Sequence, residues 1–385
     1  MFTKSVLTSI VFFITSAIAE TVTEGAITGS KTYSQYTPFE LSQMTLVERL
    51  KVYPWTVETM SIGLIIAYLA LFFIGSKYND NLVKKYIELQ RDEVLKDQFY
   101  QVGVTQNQLY IKDDGENYSS YATGRVNIAS LTQKFRLQAR HNVFLWILEA
   151  ILSAYFESVV TPADTIQLTF DIDAEAAEKY DNFIWAVVSK DKMSTLRTES
   201  YYLSLTKTAE SEKLPIEYVF MNEVPEMNEI LYKSDFKAIL EESKDFLRYI
   251  AITDQPDEKP TELSEVAPKK KVIVNMRVPK GDSQLKASVK LVKYVIGYID
   301  FVVEKAAFRP ELTRRIKKTR DAEIAKLKKI AEDAKKEELE AKRIEEQKKL
   351  REEQSKLSPE EQKKIEKKQQ EKKQRKLEKK QRVRA

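Results

Sequence analysis

The sequence predicts an α+β protein with a single transmembrane helix, a cytosolic α+β globular domain and long, charged, coiled-coil-like C-terminal helices. Three observations lead to this prediction. A charge-free run of 18 residues extends from Thr59 to Ser76, a region with both strand and helix periodicity follows it, and the last part of the chain is rich in Lys and Glu. This order of segments is typical of a membrane-anchored protein that holds a charged arm in water.

The predicted segments have defined limits along the chain. Residues 1–19 form a signal peptide, 20–56 a short luminal segment, 57–76 the transmembrane helix, 77–305 the cytosolic α+β domain, and 306–385 the charged helical tail. Between the span and the tail, roughly 200 residues of ordinary globular composition are enough to build one sizeable core.

The first 19 residues have the composition of a secretory signal peptide. They carry one charge, at Lys4, followed by the apolar run from Val6 to Ile14 and by Ala17-Ile18-Ala19. This pattern predicts cleavage before Glu20, with an uncleaved anchor as the alternative. Either interpretation directs the chain to the secretory membrane system.

The charge-free run is long enough to cross a bilayer once. As a helix it measures about 27 Å, close to the hydrocarbon thickness of a membrane. Tyr53 and Trp55 before it and Tyr78 after it are placed as interfacial anchors. Because a cleaved N-terminus starts in the lumen, one span puts residues 77–385 in the cytosol, a type I orientation. The side chains predicted to anchor the helix in lipid are Ile62, Leu64, Leu69, Phe72, Phe73 and Ile74.

A second apolar stretch extends from Asn142 to Val160. Glu149 lies in its middle and Glu157 near its end, and a central acid costs roughly 2.5 to 3.5 kcal/mol on insertion into a membrane. We therefore expect a buried or membrane-surface helix here rather than a second span. The sequon that begins at Asn117 should carry no glycan if this part of the chain is cytosolic.

Composition excludes several classes of functional site. The chain has no cysteine, so it has no disulfides, no thiolate catalysis and no cysteine-ligated metal. Its single histidine, His141, precedes the second apolar stretch and is predicted to be a capping or interfacial residue rather than a catalytic base or metal ligand. The two glycine-rich motifs that bind phosphate, G-x-x-x-x-G-K-[ST] and G-x-G-x-x-G, are both absent from the sequence, and Gly is scarce at 9 residues. The sequence thus predicts no catalytic residue, no cofactor and no metal site.

The middle region shows both periodicities of an α+β domain. Apolar and polar residues alternate in residues 166–172 and 272–278, which is the period of a strand, and residues 183–188 form a short apolar run. Residues 285–303 repeat apolar residues at spacings of three and four, which is the period of a helix. Residues 253–268 contain three prolines among acids and Thr, which favours a surface loop, with an interdomain linker as the alternative. The predicted strands are 166–172, 183–188 and 272–278, the predicted helix is 285–303, and weaker helical patterns cover 193–205 and 236–250.

The tail differs from the rest of the chain in charge. From Arg309 to Ala385 there are 29 Lys and Arg against 17 Asp and Glu, whereas the remaining residues carry 34 against 41. The net charges are therefore +12 and −7, and the basic excess lies in the tail alone.

The tail is predicted to form two helices. A first helix of about 48 residues would reach roughly 70 Å. Ser358-Pro359-Glu360-Glu361 is a helix start signal, which predicts a joint between the two helices there.

Charge pairs and a short apolar pattern support this first helix. Glu-to-Lys pairs four residues apart are each worth about 0.2 to 0.5 kcal/mol. Apolar residues keep the three-four spacing only over Ile324, Leu327, Ala331 and Ala334, which is too short for a sustained coiled-coil seam and favours a solvated helix or one against a partner. The predicted pairs are Glu332 with Lys336, Glu338 with Lys342, Glu345 with Lys349, and Glu352 with Lys356.

The last 23 residues are the most basic part of the chain. From Lys363 onward, 12 basic residues face only three acids, and no aromatic residue is interleaved. This favours sequence-independent attraction to phosphate rather than stacking on bases. Ribosomal RNA fits an arm of this reach, while anionic lipid and a merely solubilising role are the alternatives. The predicted ribosome-binding residues are Lys363, Lys364, Lys367, Lys368, Lys372, Lys373, Arg375, Lys376, Lys379 and Lys380.

Several segments resemble one known family. They are Ile62-Gly63-Leu64 through Phe72-Phe73-Ile74-Gly75, then Tyr100-Gln101-Val102-Gly103, Tyr121-Ala122-Thr123-Gly124-Arg125, Val272 to Pro279, and Glu361 to Gln369. In this order they are similar to the calumin family, also called coiled-coil domain-containing protein 47, a subunit of the PAT chaperone complex. The resemblance covers nearly the whole chain from about Pro54, and it rests on order and local pattern rather than on one diagnostic motif.

The resemblance implies a function that needs no catalytic residue. Members of that family are endoplasmic-reticulum proteins of the ribosome-bound multipass translocon. They pair with a small membrane partner, Asterix, and work beside the Sec translocon, and their cytosolic part reaches the ribosome near the tunnel exit. By this resemblance the assembly shields nascent membrane segments with exposed polar groups until they pack.

The segment before the span departs from the family pattern. Animal members have a long, acidic luminal segment linked to calcium binding. Here the corresponding segment is short, and its acids are only Glu20, Glu24, Glu40, Glu48 and Glu58. We therefore do not expect luminal calcium buffering by this chain.

Overall fold

The structure is a computed structural model that describes residues 33, 36–105, 108–156, 163–191, 193–261, 265, 267–355 and 374–375. The predicted signal peptide lies outside these residues. The chain divides into two compact units. The first unit comprises residues 1–170, 245–248 and 274–296, and the second comprises 171–244, 249–273 and 297–385.

The first unit begins with three helices. Helices α1 (Pro38–Gln43) and α2 (Leu46–Val52) both start at a capping box, in which a threonine and a glutamate three residues later cap each other's backbone. Helix α3 (Thr56–Gln90) contains the predicted span and is followed by a π-helical turn, Arg91–Leu95, and a last turn, Lys96–Gln98. It thus continues 14 residues beyond Ser76, because this later part of the helix packs into the protein core. Its buried residues there include Asn79, Val83, Tyr86, Ile87 and Gln90.

Antiparallel strands form the sheet of the first unit. Its strands are β1 (Gln101–Val102), β2 (Tyr110–Lys112), β3 (Asn117–Arg125), β4 (Ile128–Arg136) and β5 (Thr165–Ile172), and β1, β3, β4 and β5 follow one another in the sheet, with β2 also paired to β3. The acidic turn at residues 113–116 joins β2 to β3. Strand β5 alternates buried and half-buried residues, which confirms the predicted period of two. Between β4 and β5 lies helix α4 (Val143–Tyr155).

The second unit has its own antiparallel strands, in the order β9, β6, β8, β7. Trp185 is fully buried there, and its ring lies 6.1 Å from that of Phe236 and 6.0 Å from that of Tyr298. The elements are α5 (Ala174–Glu178), β6 (Trp185–Ser189), α6 (Met193–Glu199), α7 (Tyr201–Ser204), β7 (Lys207–Ala209), β8 (Tyr218–Asn222), α8 (Met227–Leu231), α9 (Ser234–Ser243) and β9 (Leu247–Thr253).

Two of the weaker helical predictions need correction. The pattern at 193–205 is two short helices, since Ser200 takes an extended backbone between them. The pattern at 236–250 is helix only to Ser243, and from Leu247 it is the buried strand β9, where almost every side chain is buried and side-chain spacing no longer distinguishes helix from strand.

The last elements agree with the predictions. Strand β10 (Lys271–Arg277) matches the predicted strand except at Val278, and helix α10 (Asp282–Lys305) covers the predicted helix. Helix α11 (Pro310–Ser355) has 46 residues and measures about 69 Å. The predicted joint at Ser358 lies outside the described residues, and the coiled-coil description of the tail stays a prediction.

Candidate membrane-facing site and the root of the charged helix

The apolar part of helix α3 is not buried by the described residues of the chain. Its most apolar window of 18 residues contains no buried residue, and it is the only helix in the described part of the chain that is long and apolar enough to cross a membrane. An apolar surface of this length is stable against hydrocarbon and unstable against water. All six predicted anchor side chains are exposed: Ile62, Leu64, Leu69, Phe72, Phe73 and Ile74.

Helix α3 touches the strand-rich part of its own unit at Gly75. Gly75 is buried, and a Cβ there would lie 2.0 Å from the backbone oxygen of Arg140. Only a residue without a side chain lets the helix approach the backbone of Arg140 and His141 so closely. The end of the apolar surface is therefore fixed against the segment that leads into helix α4.

A polar cluster surrounds this contact. The guanidinium of Arg140 donates two hydrogen bonds to the carboxylate of Asp164, at 2.8 and 2.7 Å, and a third to Asn79 Oδ1 at 3.0 Å. Asn79 Nδ2 in turn donates to the backbone oxygens of Gly115 and Gln138. The cluster joins α3, the end of β4 and the start of β5 at one point.

The electrostatics of Asp164 follow from this cluster. Its side chain is 4% exposed, and burial by itself raises the pKa of a carboxyl group. The hydrogen bonds and positive charge of Arg140, with the backbone N–H of Gln138, outweigh that effect and hold the pKa of Asp164 below its usual value. Asp164 is therefore a carboxylate at neutral pH, and the pair is bidentate.

Helix α4 starts directly after Arg140. Asn142 caps it by accepting a hydrogen bond from the backbone N–H of Leu145 at 3.2 Å, so the cap is Asn142 and not His141. His141 is half-buried and lies edge-on to Phe72, with ring centroids 5.7 Å apart. The interfacial alternative for His141 stays a prediction.

Helix α4 has no buried residue, so the prediction of a helix buried in the protein is wrong for residues 143–155. The ring of Phe144 stacks on that of Tyr68 at 5.7 Å, within the apolar run of α3. Glu149 is half-buried. The rest of the predicted stretch, residues 157–160, lies outside the described residues.

In the second unit, Arg320 fixes the charged helix α11 to the sheet. It pairs with Asp254 and, at 3.2 Å, with Glu223, whose carboxylate also accepts from the backbone N–H of Ile184. Both acids are at least 98% buried. Burial is the main influence on Glu223 and raises its pKa despite Arg320. The backbone N–H of Phe308, just before α11, donates to Asp181 at 2.8 Å.

Beyond Arg320 the side chains of helix α11 change from partly buried to exposed. Leu327 is buried and Ile324 is half-buried in the second unit, so the first two residues of the short three-four pattern pack within the chain. From Lys328 to Lys349 every side chain that the structure describes is exposed. Two predicted pairs form, Glu338 with Lys342 at 2.7 Å and Glu345 with Lys349 at 2.8 Å.

The other predicted pairs in the tail have different outcomes. Lys336 lies 3.3 Å from Asp333, three residues before it, instead of pairing with Glu332. The pair of Glu352 with Lys356 lies outside the described side chains. Of the ten predicted ribosome-binding residues, only Arg375 is described, and it is helical and exposed. The remaining nine lie outside the described residues.

Sequence reasoning found the apolar and the charged surfaces but missed the residues that hold them. Gly75 stands out in the sequence only as part of a family-like motif, and no local pattern connects Arg140 with Asp164 or Arg320 with Asp254. The available signals were single polar residues at the ends of apolar runs, such as Asn79 and Arg140. Among the described residues no group of three or more His, Asp or Glu side chains could hold a metal ion.

Comparison with known proteins assigns this architecture to a family. A protein-family model described as PAT complex subunit CCDC47 matches residues 54–376. The chain belongs to the CCDC47 family. The CCDC47 match includes the apolar run, both arginine clusters and most of the basic tail, and it confirms the family resemblance seen in the sequence.

Two curated relatives come from yeasts. A UPF0674 endoplasmic reticulum membrane protein of Saccharomyces cerevisiae is 27% identical over 336 residues, covering 77% of this chain and 81% of the relative. A UPF0674 endoplasmic reticulum membrane protein of Schizosaccharomyces pombe is 27% identical over 274 residues, covering 69% of this chain and 72% of the relative. Both relatives are described as endoplasmic reticulum membrane proteins.

Proposed function

We propose that this protein is a non-enzymatic endoplasmic-reticulum membrane protein that acts in the biogenesis of multipass membrane proteins. In this proposal it is the ribosome- and translocon-associated subunit of an intramembrane chaperone complex of the PAT type. Membership of a family of PAT complex subunits and the description of both yeast relatives as endoplasmic reticulum membrane proteins support the proposal.

The observation that carries the ribosome contact is the helix α11. Its first turns are held by Arg320, and the 28 residues from Lys328 to Ser355 extend for about 42 Å as one helix. The chain beyond carries the basic excess that begins at Lys363. A stiff arm that ends in positive charge delivers that charge to phosphate away from the unit in which it is rooted.

Ribosomal RNA near the tunnel exit is the proposed target. Contacts of Lys and Arg with phosphate release counterions, so binding weakens steeply as salt rises and does not depend on base sequence. The same chemistry allows an anionic membrane surface as the target. The alternative function is therefore a membrane-anchored tether that binds anionic lipid or another polyanion through its tail.

The membrane-facing surface supplies the other proposed contacts. The exposed face of α3 offers apolar side chains to lipid and to an Asterix-like small membrane subunit. The Sec translocon, other components of the multipass translocon and nascent membrane proteins are the proposed neighbours in the assembly. The proposed orientation is single-pass type I, with the tail in the cytosol, where ribosomes are.

Removing residues 363–385 tests the ribosome contact in the full chain. We expect co-sedimentation with ribosomes at low salt to fall by at least about tenfold, because several phosphate contacts are lost and each adds to the salt dependence. Extraction from membranes should be unchanged, because the apolar surfaces are intact. Ribosome binding equal to that of the intact chain would contradict the proposal.

A matched variant separates position from charge. Ten exposed basic residues of α11 are changed to Gln while residues 363–385 are kept, and this variant should retain most of its ribosome binding. Flotation of both variants with anionic liposomes, with and without competing ribosomes, distinguishes the tether alternative. The ten residues are Arg314, Lys317, Lys318, Lys326, Lys328, Lys329, Lys335, Lys342, Arg343 and Lys348.

Protease treatment of sealed, ribosome-stripped microsomes tests the orientation independently. We expect a protease added outside to remove the tail, because the proposed orientation leaves residues 77–385 on the cytosolic side. Protection of the tail would overturn the type I orientation and, with it, the ribosome contact.

A further inference from the structure

Helix α4 has an apolar face that stays largely exposed among the described residues. Phe144, Leu148, Ile151 and Tyr155 follow one another at spacings of four, three and four, so they lie on one side of the helix. They are 75, 51, 50 and 81% exposed. In a water-soluble unit a face of this kind is a strong liability, because large apolar side chains in water are unfavourable.

The opposite side of the helix is different. Trp146, Glu149 and Ser153 share that side, and all three are half-buried. The one carboxylate of the helix therefore lies away from the exposed apolar face. A helix with an apolar face and its carboxylate on the opposite side can bury that face in hydrocarbon while the carboxylate stays outside the hydrocarbon.

The start of α4 lies beside the apolar run of α3. The stacked ring of Phe144 meets Tyr68, which precedes Ser76 by eight residues, or about 12 Å along the helix axis. The hydrocarbon of one leaflet is about 15 Å thick. If α3 crosses the membrane, Phe144 is at hydrocarbon depth in the leaflet next to Lys77.

The residues that precede and follow α4 in the sequence are joined by an ion pair. Arg140 precedes the helix and Asp164 follows it, and their ion pair joins Asn79, which lies three residues after Ser76. The chain thus leaves this polar cluster before α4 and comes back to it afterwards. With 13 residues, α4 is about 20 Å long, too short to cross a bilayer.

We propose that helix α4 is a second membrane-embedded element, which buries the face of Phe144, Leu148, Ile151 and Tyr155 among the acyl chains of the leaflet adjoining Lys77. The occupant of this face is lipid, because the face continues the exposed apolar surface of α3 and reaches the same depth. The cluster of Arg140, Asp164 and Asn79 holds the base of the insertion at the border with water. Unlike α3, the helix enters one leaflet only.

The absence of cysteine makes this proposal directly testable in the full chain. Single cysteines Leu148→Cys and Ile151→Cys are labelled with a bimane fluorophore, and the purified protein is reconstituted in phosphatidylcholine vesicles with or without doxyl-labelled lipid. We expect doxyl lipid to quench both labels as strongly as a label at Ile66→Cys, in the middle of the span. A label at Lys134→Cys, exposed on β4, should be quenched by aqueous iodide instead.

Three further results decide the interpretation. Ser153→Cys, on the other side of α4, should show weaker lipid quenching than its neighbours, because it faces the protein. Labels at 148 and 151 that respond to iodide as Lys134→Cys does would overturn the proposal. Access to iodide in vesicles but protection in native microsomes would also overturn it, and would assign the face to a protein partner.

A measurement on the unsubstituted chain guards against misfolded variants. Hydrogen exchange of the peptide that covers α4 should be slow in lipid vesicles and markedly faster in a short-chain detergent, because amides in hydrocarbon have little contact with water. Equal, fast exchange in both would contradict the proposal.

Discussion

Two helices of this protein have surfaces that are exposed among the described residues, and an arginine ion pair lies near the start of each helix. Arg140 precedes the apolar helix α4, and Arg320 lies in the first turns of the charged helix α11. Both arginines pair with a carboxylate that is at least 96% buried. A buried arginine–carboxylate pair thus anchors both the apolar helix α4 and the charged helix α11.

The two clusters differ in how completely their hydrogen bonds are made. At Arg140, a single acid receives a bidentate pair and Asn79 completes the network. At Arg320, two acids share one cation, and Glu223 Oε1, Asp254 Oδ1 and Arg320 Nε make no hydrogen bond among the described residues. The first cluster therefore tolerates the loss of one charge better than the second, where one arginine forms ion pairs with two buried carboxylates.

The largest effect should come from Arg320→Met. The change leaves Asp254 and Glu223 buried together without their cation, and breaking a buried pair in this way costs about 3 to 5 kcal/mol. We expect a loss of this size in the free energy of unfolding, measured by urea titration in mild detergent with the fluorescence of buried Trp185 as one signal.

Two matched variants interpret that result. Arg315→Gln removes an exposed pair with Glu226 on the same helix and should change stability little, because such pairs are screened by water. Adding Asp254→Asn and Glu223→Gln to Arg320→Met should recover part of the loss, since the uncompensated charges are then gone. A large effect of Arg315→Gln, or none of Arg320→Met, would contradict the comparison.

A smaller effect should follow Gly75→Ala. Its Cβ would lie 2.0 Å from the backbone oxygen of Arg140, so α3 and the Arg140 segment must move apart. Overpacking of this kind costs about 1 to 3 kcal/mol. Gly63→Ala is the control, because apart from the chain neighbours of Gly63 and the nearby backbone of its own helix no described atom lies within 4 Å of a Cβ there. We expect thermal unfolding in detergent to shift downward for the first variant only, and equal shifts would show that the contact is not tight.

The elements with one uniform periodicity were predictable from sequence. Strand β5 and helix α10 keep a single spacing throughout, whereas residues 236–250 change from helix to strand within one apolar pattern. The polar clusters were not predictable, because Asn79 and Arg140 are 61 residues apart and their pairing depends on how the chain folds back. For the same reason Gly75 gave no signal until the backbone of Arg140 was seen beside it.

The smallest effect should come from Asp164→Asn. A hydrogen bond to a charged group contributes about 1.5 to 3 kcal/mol. The amide keeps the shape of the carboxylate and part of its hydrogen bonding, so we expect only part of this to be lost, about 1 to 2 kcal/mol at neutral pH. The pKa of Asp164 is lower in the folded protein than in the unfolded chain. Its contribution to stability is therefore present above the unfolded pKa of about 3.9 and is lost as pH falls through the folded value.

The pH dependence of the difference between the two proteins isolates this one group. Other carboxylates titrate in both proteins and cancel, so the stability gap between wild type and Asp164→Asn should be constant from neutral pH to about pH 5 and narrow below about pH 4. Urea unfolding in detergent at a series of pH values measures it. A gap that is unchanged at low pH would mean that Arg140 is held by Asn79 and Gln138 alone, and that the charge of Asp164 does not secure the base of α4.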